Sequence, residues 1–227
     1  MGSLENPHQP TFYTYNSKGE LIKITQGNPN QSGQTVQNRY FMYDSLGRII
    51  RVRQPEQTPN PNLSTTGNPE NNQWTVVYTY DVLGNVIKMT DAKGVNIINE
   101  YDEIGRPITR CYTKSEIQTT ATQCNQLSGS EVSLDTPQVD YYYDGKELAQ
   151  VPQFSKGALT KITNSVSETR YTSFDNHGRL LASQQITDGK TYDFSYKYNL
   201  SGGLIEETYP SLRVVKNFPD SDGDWQL

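Results

Sequence analysis

An acid or amide followed three residues later by glycine recurs along this chain, six times directly behind an aromatic ring. The frame reads Tyr15-Asn16-x-x-Gly19, Tyr43-Asp44-x-x-Gly47, Tyr80-Asp81-x-x-Gly84 and Tyr101-Asp102-x-x-Gly105, then Phe174-Asp175-x-x-Gly178 and Tyr198-Asn199-x-x-Gly202. A worn copy stands at Asp220-x-x-Gly223. The first frame residue advances 21 positions from Asp81 to Asp102, 24 from Asp175 to Asn199 and 21 from Asn199 to Asp220. Such self-similarity constrains the fold more than any single motif. Each repeat is one supersecondary unit, and it buries its face only against its neighbours.

The frame has a mechanical reading. Before it, residues alternate as in an extended strand: Val76, Tyr78 and Tyr80 share one face, with Val77 and Thr79 on the other. After it, runs such as Val86-Ile87-Lys88-Met89 and Leu180-Leu181-Ala182-Ser183 are strand-like again. Between them, an Asp or Asn side chain accepts a backbone N–H two residues on. The glycine takes a positive φ in a type I turn closed by a G1 bulge. Each repeat is therefore predicted to be a β-hairpin. One hairpin is marginal in water, so consecutive hairpins must continue one sheet. The predicted fold is all-β: serial antiparallel hairpins in a curved, spiralling sheet, since such sheets twist and curl. The domain expected is a single repeat region, 1–227, of about seven hairpins.

Longer steps carry insertions at 55–73, rich in proline and asparagine, and at 111–138. The segment 140–162 keeps Tyr143-Asp144 but moves the glycine to Gly145, and a second glycine-led strand starts at Gly157. It reads as a repeat with its turn rebuilt. Cys111 and Cys124 flank polar sequence in the second insertion. A disulfide suited to an oxidising compartment and two free thiols both remain open.

Hydrophobic residues make up only 33% of the chain, below the roughly 45–50% of ordinary globular domains. This fits a one-layer sheet better than a filled sandwich. Partial disorder is the competing reading, and the 16 tyrosines argue against it, because tyrosine suits half-buried pleated surfaces. The net charge is −5 and no lysine–arginine run occurs, which speaks against a nucleic-acid partner. No apolar stretch approaches the ~18 residues of a membrane span. The start, MGSLENPHQPTFY, has neither a basic stretch nor an apolar run, so no signal peptide is expected in this chain, which leaves secretion open for a longer parent.

Read as Y-x-Y-D-x-x-G-R-[LI], the frame resembles the YD repeat of the Rhs (rearrangement hotspot) family. Residues 78–86, 41–49 and 101–106 carry the match, and 208–217 resembles an inter-repeat strand in which Leu212 replaces the usual glycine. The family includes bacterial Rhs and wall-associated toxins, toxin-complex C subunits and teneurins. The resemblance implies hairpins wound into a hollow Rhs-type shell that, in bacterial members, encloses a toxin. Those members release the toxin by self-cleavage near a P-x-D-P-x-G-like segment, which is absent here. The resemblance thus implies an internal slice of a secreted or cell-surface protein, or a truncated gene product. Its partners would be the rest of the shell and the enclosed toxin.

The residues point to no catalytic chemistry. Asp44, Asp81, Asp102, Asp144 and Asp175 invite an acid–base reading, but they occupy equivalent turn positions, where Asn16 and Asn199 cannot ionise. His8 and His177 lie far from either cysteine, so no zinc spacing appears. No nucleophile elbow, Walker loop or dinucleotide fingerprint occurs, and Leu200–Gly203 reads as a glycine turn. No enzyme activity and no cofactor are expected. Arg48, Arg106 and Arg179 follow turn glycines; stacking on tyrosines, pairing with the next repeat's Asp and plain solvation all stay open. The alternative function is a cell-surface carbohydrate-binding or adhesion module, with Trp74 and Trp225 as candidate rings, although Trp74 reads better as the start of a strand. Sequons at Asn30, Asn62 and Asn199 carry little meaning in a bacterial chain.

Overall fold

The structure is a computed structural model that describes residues 10–30, 35–63 and 74–218. The worn copy at Asp220, as well as His8 and Trp225, lies outside the described residues, as do the sequon serines Ser32 and Ser64 and most of 55–73. Fifteen strands follow one another, hydrogen-bonded in the order of the chain. They are β1 (Thr11–Tyr15), β2 (Leu21–Gln26), β3 (Gln37–Tyr43), β4 (Ile49–Arg53), β5 (Val76–Tyr80), β6 (Val86–Thr90) and β7 (Asn96–Tyr101). Then come β8 (Pro107–Tyr112), β9 (Val139–Tyr143), β10 (Leu159–Thr163), β11 (Ser167–Phe174), β12 (Leu180–Thr187), β13 (Lys190–Tyr198), β14 (Leu204–Thr208) and β15 (Val214–Lys216). The fold is all-β, an open antiparallel sheet of serial hairpins. The chain divides into two compact units: Met1–Gly105 with Cys111–Asp135, and Arg106–Arg110 with Thr136–Leu227.

Each frame sits at the turn after an odd-numbered strand. In the second copy, Gly47 N–H donates to Asp44 O at 3.2 Å and Asp44 N–H to Arg48 O at 3.0 Å. The ladder slips one residue there, with Tyr43 opposite Ile49, which is the signature of a bulge. The same slip pairs Tyr15 with Leu21, Tyr80 with Val86 and Tyr198 with Leu204. Gly84 has φ +93°, a conformation that side chains rarely adopt, although a Cβ there would meet no atom within 4 Å. The need for glycine is thus conformational and not steric.

The connections on the other edge are more varied. Asp91-Ala92-Lys93-Gly94 repeats the frame's geometry without the aromatic: Gly94 N–H donates to Asp91 O, and Asp91 Oδ1 accepts from Lys93 and Val95 N–H. Asp188-Gly189 makes a two-residue turn with both φ positive. Tyr209–Leu212 closes the turn before β15, and Leu212 itself carries φ +64°.

Full burial is sparse. Tyr40, Val52, Trp74, Ile98, Cys111, Ala121 and Phe174 are the buried hydrophobics among the described residues, and most strand positions are half-buried. The insertion after β8 holds one of these clusters. Its Ala121 packs with Ile98 and Cys111, flanked by Cys124 and Leu127. Cys111 and Cys124 are joined as a disulfide, Cα atoms 5.8 Å apart. A loop of this length is worth roughly 3 kcal/mol when closed.

Three substitutions separate conformation from contact. Gly84→Val is expected to cost about 2 kcal/mol or more, because a β-branched residue is forced to positive φ, whereas Asp81→Asn costs little. Leu212→Gly is expected to stabilise by about 1 kcal/mol, since the exposed leucine loses only strain. Urea midpoints check all three. A stabilised Gly84→Val or a destabilised Leu212→Gly would refute the turn account.

Candidate functional site

The frame's side chains build a joint between consecutive hairpins. The tyrosine ends the first strand of its hairpin, so its ring lies against the hairpin before. The Tyr43 hydroxyl donates to Leu21 O at 2.9 Å, Tyr80 to Ile49 O at 2.6 Å and Tyr101 to Val86 O at 3.0 Å. Each acceptor stands two residues past the preceding frame's glycine. Burial raises the pKa of Tyr43 and Tyr80, so the hydroxyls stay protonated donors.

Arginine completes the joint. The Arg48 guanidinium lies 4.6 Å over the Tyr80 ring. Its Nε donates to Asp44 Oδ2 at 2.7 Å, and its Nη1 donates to Asp81 O at 3.2 Å. One side chain thus ties its own turn to the next hairpin's turn and ring. Arg179 repeats the arrangement: 5.0 Å over Tyr198, Nε to Asp175 Oδ2 at 2.6 Å, Nη1 to Asn199 O at 3.2 Å. Arg106 stacks 4.3 Å over Tyr143 and reaches the Asp144 carboxylate at 3.1 Å. Asp144 differs because its turn is rebuilt: its N–H donates to Ala158 O, and its Oδ1 accepts from Gly157 N–H. The solvated reading of these arginines therefore gives way to stacking. Each stack contributes about 0.5–1 kcal/mol, and more where it is desolvated.

Arginine is not at every joint. Asn85 follows Gly84 and folds back on Asp81 Oδ2 at 2.8 Å. Glu20 follows Gly19 and accepts from Asn16 Nδ2 at 2.6 Å. Both side chains hydrogen-bond within their own turns and lie beside the glycine of the next, Gly47 for Glu20 and Gly105 for Asn85.

The turn acids are acceptors engaged locally. Asp44 Oδ1 accepts from the N–H groups of Leu46 and Arg48, and Asp175 Oδ1 from those of His177 and Arg179. Asn16 Oδ1 does the same with Lys18 and Glu20, so the amide serves as well as the acid. Ile104 N–H donates to Asp102 Oδ1, and Gly203 N–H to Asn199 Oδ1. The Arg48 backbone N–H, aided by its guanidinium, holds the Asp44 carboxyl below its ordinary 3.8, against some desolvation. The Asn85 side-chain amide does this for Asp81. For Asp175, desolvation pulls upward, but the bonds from Arg179 and His177 outweigh it. Glycines 19, 47, 84, 105, 178 and 202 all have positive φ.

His177 is exposed in its turn, and among the described residues no group of three or more metal-binding side chains gathers. Trp74 is 1% exposed, in a bridge to Asn60, so it starts a strand and offers no ring face to a sugar. A polar cavity of about 420 Å³ lies between the β6–β7 strands and the insertion, with Lys88, Asn96, Glu116 and Thr119 in its lining.

A chain of the Photorhabdus luminescens Tc holotoxin pore matches at TM-score 0.52 and 15% identity, over 96% of this chain and 11% of that one. The TcdB2–TccC3 crystal structure matches at TM-score 0.53 and 14% identity, over 96% of this chain and 12% of that one. The chain has a YD-repeat fold. Teneurin-3 of Mus musculus, also on the family resemblance read from the sequence, is 24% identical over 230 residues, 93% of this chain. The chain spans 8% of that protein's length. No family model matches the chain.

Two predictions follow from the YD-repeat joint. Arg48→Ala and Tyr80→Leu should each cost about 1 kcal/mol or more, with a coupling of about 0.5–1 kcal/mol in a double-mutant cycle on chemical denaturation, because leucine removes the ring face on which Arg48 lies. Zero coupling would refute the joint. The folded-state pKa values of Asp44, Asp81 and Asp175 are depressed, so their contribution is present above the ordinary 3.8 and is lost as pH falls through the lower folded values. The urea midpoint should hold from neutral pH down to about 5 and then fall. The triple Asp→Asn variant should fall less steeply, and an equally steep fall would show that these carboxylates are not responsible.

Proposed function

We propose that this chain is a structural wall segment of a larger Rhs-type shell, one continuous repeat region in which lateral joints replace a filled core. The observation that carries this is the match to TccC3-containing toxin-complex structures over 96% of the chain but only about a tenth of theirs. Serial hairpins joined by arginine, tyrosine and carbonyl are suited to prolonging a sheet without a second layer. In this reading the sheet curves, the parent closes it into a hollow shell, and the shell encloses a toxin carried by the parent. The segment itself performs no catalysis. The turn carboxylates are committed to backbone N–H groups and arginines of their own turns. The Cys111–Cys124 disulfide supports folding in an oxidising compartment, as for a secreted or surface protein.

Electron microscopy of the parent protein, with a tag at the Asp188-Gly189 turn of this segment, tests the proposal. A closed hollow particle with the tag on its wall is the expected outcome. An extended stalk, or a tag on an arm outside a closed body, would overturn it.

A further inference from the structure

The junction between β6 and β7 lacks the arginine joint, because Asn85 stands where the other turns carry arginine and its amide donates to Asp81 of its own turn. The insertion crosses there instead. Glu116 N–H donates to Lys93 O at 3.0 Å in the β6–β7 turn. The Lys88 ammonium of β6 donates to Thr119 O, and Asn96 Nδ2 of β7 to Ile117 O at 2.8 Å. Cys124 N–H donates to Glu100 Oε1 at 2.7 Å, and Ala121 covers Ile98, itself 0% exposed. The same segment roofs the polar cavity. The short insertion is tied down covalently at one place, where Cys124 meets Cys111 of β8.

We infer that the Cys111–Cys124 disulfide is a redox latch, holding residues 113–124 as a splint across β6 and β7 and releasing them in a reducing compartment. The geometry gives the step a direction. Cys111 is buried at 2% exposure, whereas Cys124 is only half-buried, so an incoming thiolate attacks the Cys124 sulfur. A mixed disulfide forms on Cys124 as the original S–S bond breaks. The Cys111 sulfur leaves with the electron pair and takes up a proton, because a thiolate is disfavoured beside Ile98. The second thiol of the dithiol reductant then attacks the mixed disulfide. The reductant ends as a disulfide, and two protein thiols are formed. Without the tether, the splint is held to β6 and β7 by those four hydrogen bonds, by three more between Thr113 and Asn96, and by one small apolar contact, each exchangeable with water. The arginine-jointed β11–β14 hairpins have no such dependence.

Amide hydrogen exchange of the chain with and without dithiothreitol tests this, with mass spectrometry reporting the number of free thiols. The expected result is that both thiols form and exchange in residues 86–101 and 113–124 speeds up about tenfold or more, while residues 167–208 change less than about twofold. The Cys124→Ser variant should show the reduced pattern without reductant. The latch is overturned if the native bond resists dithiothreitol, if 86–101 is unaffected by its loss, or if every strand accelerates alike, which would mark a global staple.

Discussion

A positive-φ glycine three residues after a side-chain acceptor is the constraint on which the rest of this molecule depends. The acceptor satisfies two backbone N–H groups that the turn would leave to solvent, as Asp44 does for Leu46 and Arg48. The glycine then lets the second strand re-enter the ladder one residue out of step. That slip aims the next side chain, Arg48, along the turn edge toward the following hairpin. Tyr80, ending its own strand, presents the ring and the hydroxyl that meet it. Turn chemistry thus sets where the lateral contacts fall.

Lateral contact replaces depth. With few fully buried hydrophobic side chains, the sheet has little of the area on which ordinary domains rely. Its order comes from ladders along every strand and from aromatic and guanidinium groups that join one hairpin to the next. These joints are unequal. Arginine ties β3–β4 to β5–β6, β8 to β9 and β11–β12 to β13–β14, whereas Glu20 and Asn85 stand in its place at two other turns and hydrogen-bond within their own. Such unevenness gives a repeat array points of lower local stability. At one of them the chain has added an insertion and a disulfide.

The hairpins were legible in the sequence because their determinants are local: alternating strand faces, an Asx acceptor and a glycine at fixed spacing. Asp188-Gly189 is equally local, yet it carries no aromatic and falls outside the repeat frame, as does Asp91-x-x-Gly94. What was not legible depends on the third dimension. Nothing in 113–124 announces that Ala121 will cover Ile98, because a polar insertion with one small apolar residue looks like any loop. The choice between stacked and solvated arginine also required the neighbouring hairpin's ring to be in place. Between a binding ring and a strand start, Trp74 turns out to lie at the start of a strand: it bridges to Asn60 just before β5 and is buried, a pairing that forms only across the first insertion.

The central claim is that arginine from one turn lies on the tyrosine of the next. NMR of the chain with selectively labelled arginine and tyrosine measures this directly. The account predicts upfield-shifted Arg48 and Arg179 side-chain protons, with nuclear Overhauser contacts to the rings of Tyr80 and Tyr198 respectively. Random-coil arginine shifts with no contact to either ring would contradict it.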